Sequence, residues 1–415
     1  MSRFVSAGLS RLGSLLFALL ALVLALPVLA VLASWLQWTP QSMDLLREMA
    51  TTVLPDYAWT SALLCLLVAV GVTVLGLATA AAVTLFEFRG RAAFEWLLLL
   101  PLAMPAYVVA YAWTDFLQFS GPLQVALREA FGWRGALWPD VRSVWGAALV
   151  FTVSLYPYVY LLARTALLER VASLMEAARL LGASLPRRIR EVALPLSRPA
   201  VAAGVALALM ETLADFGVSS YFGIQTFTAG IYKAWLAMDD RIAAAQLATV
   251  LLVAVMVLMR LEQRAEQRMR FAQGRVSRQG TAESQPVRLR GLQQLAAWLV
   301  CGVPVVLGFV LPVLILLRAL AGSEVEQPWT RFGDWAWNSL RLGGITAVLA
   351  VGVALLLAFA VRQRPSAWNH AVTQVVGIGY AVPGAVVVVG LLLPVGWIQL
   401  TWPQSSAGAW ITATS

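Results

Sequence analysis

Residues 175–199 read "MEAARLLGASLPRRIREVALPLSRP" and stand between the apolar runs "VWGAALVFTVSLYPYVYLLARTALL" (144–168) and "AVAAGVALALMETLADFGVSSYF" (200–222). Ser173 and Glu176 form an S-x-x-E capping box, and Gly182 can close the helix that follows by adopting a left-handed conformation. Ser184 can cap the next helix. There Leu185, Ile189 and Val192 share one face, and Arg187, Arg188 and Arg190 spread over the polar side. Pro195 and Pro199 then lead back into the membrane. The expectation is two short helices joined by a turn, held in water between two membrane spans. An amphipathic helix lying on lipid is the alternative.

The flanks extend this reading to the whole chain. Of 415 residues, 60% are hydrophobic and 12% charged, a composition that excludes a soluble globular class. Nine apolar runs reach the length that crosses a hydrocarbon core: 14–36, 60–85, 94–118, 144–166, 200–222, 243–260, 295–317, 338–361 and 371–396. The first follows Arg3 and Arg11, but no small-residue cleavage site ends it, so it reads as a retained helix. With the N-terminus inside, the inner segments hold 21 Arg and the outer segments 8 Arg or Lys, while Arg341 lies within a span. That bias sets a cytoplasmic N-terminus. The net charge of +9 is then mostly topological, and no soluble domain carries it toward nucleic acid.

Soluble-style catalysis lacks its residues. The single His370 falls at a predicted inner boundary, and Cys65 and Cys301 lie inside apolar runs, so neither a metal cluster nor a disulfide framework is expected. The single lysine, Lys233, sits in "IYKAW", which leaves no phosphate-binding GxxxxGK[ST] loop. No catalytic residue, resident metal or cofactor is assigned, and any ATP used must bind another chain.

The chain also repeats itself. Placing Trp59 on Trp337 brings "YAWTSALLCLLVAVGVTVLGLATAAAV" onto "WAWNSLRLGGITAVLAVGVALLLAFAV" without a gap, Ser61 on Ser339 and, further on, Pro105 on Pro383. Each proline is expected to kink an otherwise continuous apolar helix. Six spans separate equivalent helices, so the repeat is parallel. The expected organisation is an N-terminal span and outer loop (1–57), a first permease-like domain (58–262), an Arg-rich linker that turns irregular after Gly274 (263–292), a further span and outer loop (293–335), and a partial second copy (336–415). The second copy of Glu176 falls beyond Ser415, so the second copy is expected to be truncated or the chain to be a piece of a longer protein.

The spacing E-A-A, three residues, Gly, nine residues, V-x-L-P resembles the signature of the membrane permeases of binding-protein-dependent ABC importers. It falls here on Glu176, Ala177, Ala178, Gly182, Val192, Leu194 and Pro195, with Val192 where the family usually has Ile. "LPLAMPAYVVAYAWTDF" and "METLADFGVSSYFGIQTFTAGIYKAW" resemble the fused, two-copy ferric-iron permeases. The resemblance implies an all-α polytopic protein of the type I importer fold, a loop that docks on a cytoplasmic ABC ATPase dimer, a periplasmic binding protein that delivers cargo, and a place in the inner membrane. An ion-coupled secondary transporter and an inactive fragment are the competing readings.

Glu211 and Asp215 stand one turn apart near the middle of the fifth run. A carboxylate at the centre of a membrane helix costs about 2.5–3.5 kcal/mol on insertion scales, so the pair needs a polar setting. Gly204, Ala208, Thr212, Asp215 and Ser219 are expected to form a helical stripe beside Glu211. The pair lines a translocation pathway or bonds within a buried network, and the sequence leaves both open.

Overall fold

The computed structural model describes residues 19–36, 40–168, 172–276, 286–322, 329–363, 366–379 and 382–402. Arg3, Arg11 and residues 14–18 of the first expected span lie outside them, as do residues 277–285 of the linker. Helices come in the order α1 (Leu19–Leu36), α2 (Pro40–Thr52), α3 (Leu54–Leu85), α4 (Arg91–Leu97), α5 (Ala106–Leu117), α6 (Pro122–Phe131), α7 (Val144–Ala166) and α8 (Ala172–Leu180). There follow α9 (Leu185–Ala214), α10 (Gly217–Phe222), α11 (Phe227–Tyr232), α12 (Arg241–Val276), α13 (Leu292–Ala321), α14 (Trp329–Gln363), α15 (Ala367–Ile378) and α16 (Gly384–Thr401). Among the described residues the only strands are β1 (Phe86–Glu87) and β2 (Val287–Arg288), a short parallel pair that Leu289 extends by donating its N–H to the Glu87 carbonyl at 2.9 Å.

Among the described residues seven helices are long and apolar enough to cross a membrane, or eight if a bent pair is counted as one span. The expected ninth span is not among them. Residues 371–396 are divided between α15, which ends at Ile378, and α16, which begins directly after Pro383. The third run is corrected too. Pro105 does not kink a continuous helix but caps α5, and the chain turns by 89° between Arg91–Ala103 and Ala106–Phe131. The residue before it, Met104, has ψ 123°, the extended conformation a following proline imposes. Pro105 and Pro383 thus occupy the same local place in their copies, each just ahead of a helix that restarts.

The chain forms two compact units. The larger, residues 36–318 with 383–385, is built on α3, α7 and α9. Pro55 in the first turn of α3 suits a helix start, and Leu64, Val68, Val72 and Val83 form its buried face. Close packing depends on two glycines set against one residue. A Cβ on Gly76 would come within 2.6 Å of the Val159 Cβ, and one on Gly204 within 2.6 Å of the Val159 Cα. Without a hydrophobic drive between helices in lipid, such close approach supplies the dispersion contacts that hold the bundle. Buried Tyr156 and Tyr160 on α7 donate their hydroxyls to the carbonyls of Leu98 (3.0 Å) and Glu95 (3.1 Å), pairing backbone groups that the elbow after α4 leaves free. α13 belongs to this unit through Arg318: Trp113 of α5 donates its indole N–H to Leu307 at 3.2 Å, within the π-helical turn Val306–Val310.

The smaller unit comprises residues 1–35, 319–382 and 386–415. In it Gly390 of α16 packs on the Pro27 backbone of α1, leaving no room for a Cβ.

Candidate functional site

The loop after α7 begins with α8, described from Ala172. The side chain of Ser173 lies outside the described residues, so its half of the capping box is not placed. At the other end Gly182 has φ +81°, as the left-handed closure requires. Gly182 donates to the Arg179 carbonyl at 3.0 Å and Ala183 to the Ala178 carbonyl at 3.0 Å, the paired bonds of a Schellman motif.

Ser184 occupies the cap position of the next helix and accepts from Arg188 N–H through its carbonyl, but its side chain caps nothing. Beyond it the expected second short helix is corrected: residues 185–188 run through a π-helical turn, Ile189–Ala193, directly into the membrane-length remainder of α9. The π turn has a cause in Pro195, which lacks the N–H that a regular ladder needs at that point. Leu194 bonds back to the Ile189 carbonyl instead.

The expected apolar face is real. Leu185, Ile189 and Val192 pack against the core that contains Met175 and Ala193, while Arg187 and Arg190 point to solvent. The two arms therefore form a folded hairpin whose inner side is apolar. Glu176 is half-buried with Arg179 3.7 Å away, Ala177 is exposed, Ala178 and Pro195 are half-buried, and Leu194 is exposed. At the turn itself Leu180 and Leu181 are 83% and 88% exposed. The sequence reading did not single them out. Two leucines beside a rigid glycine turn, at the polar end of a membrane bundle, are the signal that could have.

A chain of ion pairs stands at the same end. Arg91 holds Glu87 at 2.8 Å and lies 3.3 Å from Glu95, whose other oxygen meets Arg164 at 2.7 Å. Arg164 is in the last turn of α7, so the stem of the loop is fastened to the elbow after α3. Residues 69 positions apart make this contact, and no local pattern announces it.

The acidic pair is placed differently from expectation. α9 ends at Ala214, so Glu211 lies in its last turn and Asp215 is its C-cap rather than a mid-span residue. Asp215 accepts from the Val218 N–H at 2.7 Å and starts α10, which carries Ser219; the expected single stripe is thus broken between Thr212 and Ser219. Glu211 is exposed and hydrogen-bonded to Tyr158 of α7. Cys65 and Cys301 are unpaired, and among the described residues no group of three or more His, Cys, Asp or Glu could hold a metal ion. His370 lies on α15 with its Nδ1 3.1 Å from the Ser366 carbonyl.

A family model for the inner membrane component of binding-protein-dependent transport systems matches residues 72–271, which contain α7, the whole hairpin and α9. The Fe(3+)-transport system permease protein FbpB 2 of Haemophilus influenzae is 26% identical over 91% of this chain and 71% of its own length. The sulfate transport system permease protein CysT of Salmonella typhimurium is 30% identical over 49% of this chain and 70% of its own. For the molybdenum transport system permease protein ModB of Escherichia coli the figures are 31%, 32% and 57%. With a membrane bundle of the type I ABC importer fold and no enzyme site in the family, the chain belongs to the inner membrane components of binding-protein-dependent transport systems, the ABC permeases.

Proposed function

We propose that this chain is the transmembrane permease subunit of an ATP-driven importer, with ferric iron as its cargo and its N-terminus in the cytoplasm. A periplasmic binding protein delivers the cargo, and a separate ABC ATPase dimer supplies the power stroke. The observation that carries this reading is the hairpin of α8 and the start of α9. It is closed by Gly182, backed by an apolar inner face and tipped by exposed Leu180 and Leu181. A membrane subunit without a nucleotide site must be moved mechanically, and a rigid knob with small Ala177 and Ala178 on its flank can enter a partner's groove. Glu176, Val192, Leu194 and Pro195 hold the knob's shape. The length of the match to an iron permease supports the choice of cargo.

Glu211 borders the translocation pathway in this reading, as an exposed carboxylate in the last turn of α9, at the end remote from the hairpin. Asp215 fixes the turn into α10 beside it.

Co-purification after mild solubilisation tests the assembly: a nucleotide-binding subunit should be retained by the parent chain. Gly182→Pro removes the left-handed turn and one of its hydrogen bonds, since proline fixes φ near −65°. Glu176→Lys reverses the charge beside Arg179. Both variants should insert normally yet lose ATPase stimulation and uptake together. Stimulation and uptake equal to the parent would overturn the docking role.

A further inference from the structure

At the end of α9 remote from the hairpin, about 45 Å away by helix rise, α10, α11 and the start of α3 enclose an open cleft of about 400 Å³. Tyr57, Phe216, Ser219, Ser220, Gln225 and Lys233 are among its lining residues. Ser219 is 1% exposed, and its hydroxyl has no hydrogen-bond partner. A buried unpaired hydroxyl costs about 1–3 kcal/mol, a penalty that a bound ligand removes. Lys233, the chain's single lysine, is exposed at the same cleft, as is the Gln225 amide. Phe216 and Tyr232 add an apolar wall, their rings 4.0 Å apart.

Among the described residues no carboxylate lines this cleft, and none lines the adjoining cleft at Tyr107 and Tyr111. Glu211 and Asp215 are turned to Tyr158 and to the backbone of α10. A bare trivalent metal ion needs anionic oxygen ligands, and the cleft offers it neutral hydroxyls, an amide and a positive charge. The same groups suit a ligand that brings its own negative charge and several acceptor oxygens.

We infer that the cleft is a cargo station for an oxygen-rich anion, either a free oxyanion or the anionic carboxylate chelate of a metal ion, held by Lys233, Ser219 and Gln225. The inference rests on the reading of the chain as a permease and specifies the form in which cargo meets it.

Lys233 carries the only side-chain amine, so acylation by an amine-reactive ester, read on its peptide by mass spectrometry, reports on this site alone. The full chain in lipid nanodiscs is labelled with millimolar molybdate, sulfate or ferric citrate, against chloride at matched ionic strength. Slowing of Lys233 acylation by about threefold, which corresponds to a site two-thirds occupied, is expected with at least one of the three. Protection by molybdate or sulfate alone identifies a free oxyanion and displaces ferric iron as the cargo; protection by ferric citrate and not by citrate at the same concentration identifies the chelate. Ser219→Ala combined with Gln225→Leu, monodisperse and of parental helix content, should lose the protection. Equal rates in every solution, protection by chloride to the same extent, or full protection in the double variant would each overturn the inference. No ATPase takes part in the labelling, so its outcome is independent of the co-purification that tests the permease reading.

Discussion

α3 and α14 align without a gap, Trp59 on Trp337 and Ser61 on Ser339, and both form one long helix. α3 buries a continuous face from Tyr57 to Thr84, whereas of the described residues of α14 only Leu357 is buried. Hydropathy is shared; packing is not. The glycines are placed differently as well. Gly76, which seats Val159 against α3, becomes Ala354, while Gly344 and Gly352 of α14 fall on the positions of Leu66 and Val74, the outward residues of α3. The elbow that follows differs more sharply, since Glu87, Arg91 and Glu95 correspond to Pro365, Asn369 and Thr373, and the ion-pair chain exists in one copy only.

The strongest way to break this comparison is at the helix crossing. Gly204→Leu sets a side chain against the Val159 backbone, and overpacking of this kind costs about 1–3 kcal/mol even where neighbours can shift. Gly204→Leu and Gly76→Leu should abolish the monodisperse purified chain, read by size-exclusion after graded heating. Ala354→Leu in α14 should leave that profile within about 0.5 kcal/mol of the parent. Equal damage by Gly76→Leu and Ala354→Leu would remove the distinction between the helices.

Loss of Arg164 is the next largest effect. Arg164→Ala removes the nearer of the two guanidinium partners of half-buried Glu95 and leaves only Arg91 at 3.3 Å, a loss of about 1.5–3 kcal/mol for a charged hydrogen bond. The same heating assay should show it, with partial recovery in the exchanged pair Glu95→Arg and Arg164→Glu. No recovery would mean that the contact matters only for packing.

A smaller difference separates the paired serines. Ser61 Oγ accepts the Phe227 N–H at 3.1 Å and helps seat α11 on α3. Ser61→Ala should cost about 1 kcal/mol, and exposed Ser339→Ala less than about 0.5 kcal/mol. Equal shifts would show that the bond carries no net stability.

Much of this architecture was legible in the sequence because its cues are local. Apolar length marks the spans, and the Gly182 turn and the Leu185, Ile189, Val192 face follow from periodicity and backbone geometry. The errors share a cause. Hydropathy ran through Pro105 and Pro383 because apolar loops and apolar helices look alike inside a membrane. It also placed Glu211 mid-span, since α9 begins inside the polar loop and reaches its end sooner. The Glu95–Arg164 contact and the unpaired Ser219 hydroxyl depend on neighbours distant in the chain, and Leu180 and Leu181 read as ordinary apolar residues until their exposure is known.

Docking through the hairpin is tested most directly by a single cysteine at its tip. In a chain carrying Cys65→Ala and Cys301→Ala, Leu181→Cys is cross-linked to the co-expressed ATPase by a short bifunctional reagent. Tyr107→Cys, exposed on α5, serves as the control. A permease–ATPase adduct at position 181 whose yield changes with ATP, and none at 107, is the expected result. An assembly that retains the ATPase yet gives no adduct at 181, or as much at 107, would contradict it.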